Sequence, residues 1–357
     1  MPKPRARDLG IPLEGMPGPE NAITDVTGVE VGYTTLIAGE NIRTGVTILH
    51  PRGRANHDPV FAGWFPLNGN GEMTGAAWLE EGGFWEGPLG ITNTHSVGVV
   101  RDTIIAWQIK HQAMFQRWST PLVTETADGW LNDMNGQHIR SEHTWAALEG
   151  AQAGRLAEGN VGGGTGMICY EFKGGTGTSS RRLPAKFGGY IIGALAQTNF
   201  GRRFQLMVAG VPVGQHLTES ALFTSGENPF REQGSLIIIF ATDAPLLPHQ
   251  LKRIARRGAI GMARTGGMAG NGSGDIFLAF STANAGAARP ESGIASLQAL
   301  PNDQLDPLFM AAVYVAEEAI LNSLVAAETM TGRDGLTVPA LPHDRLQELL
   351  RKYRRIS

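Results

Sequence analysis

The dipeptide Gly234-Ser235 opens the run Gly-Ser-Leu-Ile-Ile-Ile-Phe-Ala-Thr-Asp-Ala-Pro-Leu, residues 234–246. Two readings of Ser235 stand side by side. A small polar residue commonly opens a strand after a turn. A serine in that place can also be a nucleophile whose own α-amine becomes the base once the Gly234–Ser235 bond is cut, so that one residue supplies both halves of a hydroxyl–amine pair. Two further loci carry chemistry. In Gly270-Asn-Gly-Ser-Gly-Asp275, the hydroxyl of Ser273 and the carboxylate of Asp275 are two positions apart and share a side in extended backbone. The glycines around them, Gly274 included, allow close backbone approach. Asn199, in Thr198-Asn-Phe-Gly201, ends a strand-like run and can donate its amide to a developing oxyanion. Each locus taken singly also fits a turn or a cap.

The elements that must position these groups follow from pattern. Ile-rich residues after Ser235 read as a strand buried on both faces. Strand-like runs precede it at Gly28–Thr35, Gly45–Leu49, Val60–Trp64, Gly90–Thr94, Gly188–Asn199 and Gln205–Val211, and one follows at Asp275–Ser281. Turn clusters such as Asn68-Gly-Asn-Gly71 separate them. Helices are expected at 101–117, with Ile105, Ile109 and Ala113 on one face, and at 142–157 and 248–265. The clearest helix is Leu308–Thr331, with Asp306 as N-cap, Pro307 at the first position, Phe309, Val313, Ala316, Ile320 and Leu324 inward, and Gly332 closing it. Residues 343–357 read as a short basic helix with a solvated face. Residues 214–233 are polar and broken by Pro229, and they make the best linker in the chain. Strands and helices without regular alternation suggest sheet layers covered by helices.

Composition narrows the function classes. The chain has 357 residues, a formal charge of -3 and 48 glycines, with 18% charged residues. That charge gives no general attraction to nucleic acid. Cys169 is the sole cysteine, so no intramolecular disulfide forms, which fits a reducing compartment. The basic N-terminus lacks the apolar stretch of a secretory signal, and no run approaches roughly 18 uninterrupted apolar residues; a cytoplasmic protein without a membrane span is the expectation. The glycine loop 159–167 lacks the Gly-Lys-Ser/Thr ending of a phosphate loop and reads as a structural turn. The nine histidines form no metal-ligand pair, so no metal site is expected. His95 reads as a buried, hydrogen-bonded core residue. Gly272-Ser-Gly274 precedes a strand, whereas the hydrolase nucleophile elbow follows one.

Taken together, the chain resembles the self-processing N-terminal-serine aminopeptidases, the L-aminopeptidase/D-amidase/D-esterase and β-aminopeptidase type. The matching segments are Leu67–Gly75, Thr92–Ser96, Gly98–Asp102, Glu125–Asp133, Gly162–Met167, Thr198–Gly201, Gly234–Leu246 and Gly272–Asp275, in the family's order and across nearly the whole chain. The resemblance implies an α+β, four-layer αββα fold in a single domain over residues 1–357. It implies a precursor cut at Gly234-Ser235 into chains 1–234 and 235–357, assembled as a homo-oligomer, commonly a tetramer of paired chains. Ser235 is then the nucleophile and new N-terminus, Ser273 and Asp275 orient it, and Asn199 is the oxyanion donor. Glu125, Ala127 and Gly274 fall in the substrate-binding set; Glu125 is the candidate to face a free ammonium and equally fits a turn carboxylate before Asp128-Gly129. The family pattern carries Glu where this chain has Asp275, and the D-amidase type carries Tyr where it has Ala127; Ala widens the pocket, as in the β-aminopeptidases.

The function expected is release of the N-terminal residue from short peptides, amides or esters, without metal or organic cofactor and without nucleic acid or membrane partners. Two alternatives are an acyltransferase of ornithine acetyltransferase type, which uses Thr as nucleophile, and a non-enzymatic small-ligand-binding protein that uses the glycine loops.

Overall fold

The computed structural model describes residues 3–219, 221–222, 233–289 and 293–357. The first sheet has four strands: β1 (Glu30–Ala38), β2 (Ile42–His50), β5 (Leu89–Asn93) and β6 (Leu122–Thr126), in the order β1-β2-β5-β6. The second has seven. Its path is β4-β3-β11-β9-β8-β7, from β3 (Val60–Pro66), β4 (Phe84–Trp85), β7 (Gly175–Arg182), β8 (Ile191–Asn199), β9 (Gln233–Thr242) and β11 (Ile276–Ser281). The short β10 (Gly272–Ser273) pairs with β9 off this path. Strands β9 and β11 run parallel, while β8 lies antiparallel to β9.

Strand β9 shows why the layers form. Leu236, Ile238 and Phe240 pack among the helices of one side, and Ile237, Ile239 and Ala241 pack toward the first sheet. The period of two in a run that is apolar at every position requires cover on both faces. Each buried isoleucine contributes roughly 1.5–3 kcal/mol to holding the strand between these layers.

Helices α4 (Pro248–Ala255), α5 (Arg257–Arg264) and α6 (Asp306–Val325) cover the second sheet. Helices α2 (Val97–Lys110) and α3 (Ser141–Glu149) cover the first, through Val46, Ile48, Val100, Ile104, Trp107 and Leu148. The layering is therefore helix, sheet, sheet, helix. The short α1 (Ala76–Gly82) packs by β3, and α7 (His343–Lys352) buries Leu346 and Leu350. Helix α6 is long and apolar enough to cross a bilayer but is mostly buried in this layer.

Several expectations are corrected. The helix expected at 101–117 begins at Val97 and ends at Lys110, and its core face is Val100, Ile104 and Trp107; Ile109 is exposed. The consecutive Ile104-Ile105-Ala106 leave the phase open to an error of one residue. The second helix stops at Glu149, and the one at 248–265 divides at Arg256. Residues 205–211 form no strand: Val208 and Val211 close a tight turn around Ala209 and Gly210, both at positive φ. Helix α6 begins at Asp306 itself and ends at Val325, seven residues before Gly332. His95 is exposed, not core. Of the linker expected at 214–233, residues 220 and 223–232 lie outside the described residues. The glycine loop is buried, and its amides are engaged internally: Gly162 N–H donates to Thr35 Oγ1 (2.9 Å) and Gly163 N–H to Thr47 Oγ1 (3.0 Å). It is a spacer between sheets, as a structural turn requires.

Candidate active site

At one end of β9, three backbones converge. Ser235, only 3% exposed, stands opposite Asn199, the last residue of β8. On the other side Gly234 is in register with Ser273 of β10. The Gly274 N–H donates to the Gly234 carbonyl at 3.0 Å. Gly234 has to be glycine here, since a Cβ would lie 2.3 Å from the Asn199 carbonyl oxygen.

Ser273 and Asp275 are fully buried, and the Ser273 hydroxyl donates to Asp275 Oδ1 at 2.9 Å. The aspartate arm, one methylene shorter than glutamate, therefore reaches the serine. A hydroxyl whose proton is committed to a carboxylate keeps its lone pairs free to accept from an amine. The turn at 68–71 anchors this loop. Asn68 Oδ1 accepts the Asp275 N–H (2.6 Å), Asn68 Nδ2 donates to the Gly270 carbonyl (3.2 Å), and Asn70 Nδ2 donates to the Gly272 carbonyl (2.9 Å).

Asn199 is buried and held from two directions. Its Oδ1 accepts the Ile168 N–H (3.0 Å), and its Nδ2 donates to the Ala127 carbonyl (2.9 Å). The amide has a second N–H, on a residue directly across from Ser235. Ile168 is positioned by its neighbours: the buried Lys173 ammonium donates to the carbonyls of Met167 and Gly174, both at 2.8 Å. Burial lowers the Lys173 pKa to about 7.

A cavity of about 700 Å³ opens over these groups, with Glu72, Thr94, Glu125, Ala127, Trp130, Asn199, Gly234 and Ser235 among its walls. Glu125 is 4% exposed; its Oε1 accepts the Glu72 N–H (3.1 Å) and its Oε2 the Thr94 hydroxyl. Burial pushes its carboxyl above the usual range, against the lowering effect of those two donors. Such a carboxylate favours a cationic ligand, which would restore the charge balance that burial removes. The neighbouring Asp128 accepts from Asn93 Nδ2 (3.1 Å) and Asn132 Nδ2 (3.0 Å) and anchors the turn that presents Ala127 and Trp130. Burial raises its carboxyl to about 6.

The structure thus brings Gly234, Ser235, Asn199, Glu125 and Ala127 to one cavity, with Ser273, Gly274 and Asp275 directly behind it. Sequence reasoning gave no role to Asn68, Asn70, Glu72, Thr94 or Trp130. The alternation Asn68-Gly-Asn70-Gly is the available signal; it reads as a turn and lies in the family-matching segment Leu67–Gly75, and neither reading gives its side chains a role. A second cavity of about 640 Å³, between Met16, Phe187 and Met310, is apolar and holds none of these groups.

The pattern of Peptidase family S58 matches residues 21–338. The chain is 52% identical to a β-peptidyl aminopeptidase BapA of Sphingosinicella microcystinivorans, over 99% of this chain and 93% of that one. Among solved structures, a Burkholderia sp. β-aminopeptidase superimposes with a TM-score of 0.89 at 48% identity, covering 98% of this chain and 99% of its own. The L-aminopeptidase D-Ala-esterase/amidase of Ochrobactrum anthropi, described as a prototype serine aminopeptidase and a variant of the Ntn hydrolase fold, gives 0.92 at 45% identity, covering 99% and 100%.

Proposed function

The chain belongs to peptidase family S58, and from that premise we propose that it is a serine aminopeptidase that matures by cutting its own Gly234–Ser235 bond and accepts β-amino acyl substrates. The observation that carries this reading is the arrangement at the scissile bond: the Gly234 carbonyl rests on the Gly274 N–H, beside a buried Ser235 that faces Asn199. The relatives named above are aminopeptidases, not acyltransferases or binding proteins, which favours this reading over both alternatives.

In self-cleavage, Ser235 Oγ attacks the Gly234 carbonyl carbon, the C–N bond breaks, and the Oγ proton passes to the departing nitrogen. Water then hydrolyses the Gly234–Oγ ester, leaving a Gly234 carboxylate and a free Ser235 α-amine. That amine, with a reference pKa of roughly 7.7–8.0, is partly neutral near pH 7–8 and serves as base. It takes the Oγ proton as Oγ attacks the substrate carbonyl and returns it to the leaving amine. An acyl-enzyme forms, and water, activated by the same amine, releases it. Asn199 Nδ2 and the Gly274 N–H face the oxyanion. Ser273, held by Asp275, accepts from the amine and fixes its direction. Glu125 takes the substrate ammonium. The methyl of Ala127 leaves room for an extra backbone methylene, which supports β-alanyl and β-homoamino acyl groups as substrates.

The same reading takes the mature enzyme to be a cytoplasmic homo-oligomer of paired chains. Its test is direct. Scaling 38.1 kDa by chain length gives fragments of about 25 and 13 kDa, with serine at the N-terminus of the smaller. Ser235→Ala stays a single inactive chain. Cleavage of that variant at the same bond, or its hydrolysis of alanyl p-nitroanilide, would overturn the proposal.

A further inference from the structure

We propose that Asn68 is the positioning residue for the Gly270–Asp275 loop, setting the Gly274 amide on the Gly234 carbonyl for self-cleavage and the Ser273–Asp275 pair beside Ser235 for turnover. The inference rests on the catalytic reading above.

The loop Gly270-Asn-Gly-Ser-Gly-Asp275 has three glycines in six residues. Such a segment loses more freedom on ordering than any other and needs ties from outside. Its own secondary structure is the two-residue β10, which among the described residues pairs with Gln233 and Gly234. The external ties come from the turn after β3. One side chain, Asn68, holds both ends: Oδ1 accepts the Asp275 N–H at 2.6 Å while Nδ2 donates to the Gly270 carbonyl at 3.2 Å. The adjacent Leu67 N–H donates to the Asp275 carbonyl at 2.8 Å, so the turn is bonded to both faces of that residue. An amide side chain is the type that provides donor and acceptor together; aspartate provides only the acceptor and alanine neither.

The peptide that Asn68 grips by the Asp275 N–H is the one joining Gly274 to Asp275. Movement there shifts the Gly274 amide from the Gly234 carbonyl and turns the Asp275 carboxylate away from the Ser273 hydroxyl. Asn68 itself is not among the residues lining the cavity, although Gly69, Asn70 and Gly71 are. It therefore acts through the loop and not on the substrate.

The experiment uses the full chain as parent, Asn68→Ala, Asn68→Asp and Ser235→Ala. Conversion of precursor is timed on denaturing gels. On matured enzyme, kcat and KM for β-alanyl p-nitroanilide are measured per free N-terminal serine, alongside Tm. Asn68→Ala is expected to slow both self-cleavage and kcat on the order of 10²-fold, the effect of a displacement of about 1 Å in a catalytic group, with KM little changed. Asn68→Asp, which keeps the bond to the Asp275 N–H, falls between parent and Asn68→Ala. If Asn68→Ala does not fold, slowed conversion and lowered kcat in Asn68→Asp support the proposal and parental values overturn it. Parental kcat per serine with a lowered Tm, or Asn68→Asp no better than a folded Asn68→Ala, also overturns it. A parent that is not cut at Gly234–Ser235, or an active Ser235→Ala, refutes the catalytic reading instead.

Discussion

Replacing Asn199 separates two effects that the structure places on one side chain. The carboxamide donates to the Ala127 carbonyl and accepts the Ile168 N–H, and its second N–H is on the residue facing Ser235. Asn199→Ala removes all of these. Loss of one oxyanion donor costs about 2.7–4 kcal/mol in the transition state, or roughly 10²–10³ in kcat. Orphaning two buried backbone groups costs roughly 1–3 kcal/mol each in stability, a substantial share of the roughly 5–15 kcal/mol that folded domains have. Asn199→Asp divides these losses, because its carboxylate still accepts the Ile168 N–H but donates nothing. Both variants should lose at least about 10²-fold in kcat for β-alanyl p-nitroanilide with KM little changed, the signature of an interaction made in the transition state. Only the alanine variant should lose the Ile168 bond, whereas the aspartate variant sets a buried carboxylate oxygen against the Ala127 carbonyl, so urea unfolding should show both as less stable than the parent. A fully matured Asn199→Asp with kcat within about tenfold of the parent would refute the donor role, since charge at that position cannot replace an N–H.

Three further outcomes are expected. Glu125→Gln should raise KM for free-amine substrates; because burial holds the Glu125 carboxyl above its usual range, the parent should lose kcat/KM on acidification earlier than an ordinary glutamate predicts, and the variant should lose that acid limb. An N-acetylated substrate hydrolysed as fast as its free-amine counterpart would refute the ammonium site. Ala127→Tyr should depress β-alanyl more than L-alanyl p-nitroanilide hydrolysis, and an unchanged ratio removes the pocket argument. For Asp128 the folded value of about 6 lies above the ordinary aspartate value of 3.8. The folded state then binds more protons between those values, so this group's contribution to stability is full below the lower value and is lost as pH rises through the higher, by roughly 3 kcal/mol. Urea unfolding from pH 4 to 7 should show that slope in the parent and not in Asp128→Asn; equal slopes would refute it.

The architecture was readable where periodicity was unambiguous. The uninterrupted Leu236–Phe240 run demanded cover on both faces, and it sits between a helix layer and the first sheet. Periodicity misled where apolar residues were adjacent, as at Ile104-Ile105, and where β-branched residues flanked a turn, as at Val208 and Val211. Residues with reactive groups at strand ends, Ser235 and Asn199, were identifiable from type and place. Asn68 and Lys173 were not. Their importance lies in contacts to backbone more than a hundred residues away for one, and to three local carbonyls for the other, and neither contact leaves a mark in sequence spacing.

Strand order in the second sheet bears on how the enzyme would persist after the proposed cut. Strand β9 from Ser235 onward and all of β11 come from the part of the chain after Gly234, yet they lie between β3 and β8, which come from the part before it. The proposed cut at Gly234–Ser235 would leave two polypeptides interleaved within a single hydrogen-bonded sheet, neither with a complete core alone. The precursor refolds as a first-order process. The cut enzyme, if denatured, must reassemble by encounter of two chains, at a rate that falls with dilution. At high dilution its lifetime would therefore be governed by the barrier to opening that sheet, because reassembly becomes slow. On the proposed reading, the act that creates the catalytic amine would also remove the tether by which the sheet was first assembled.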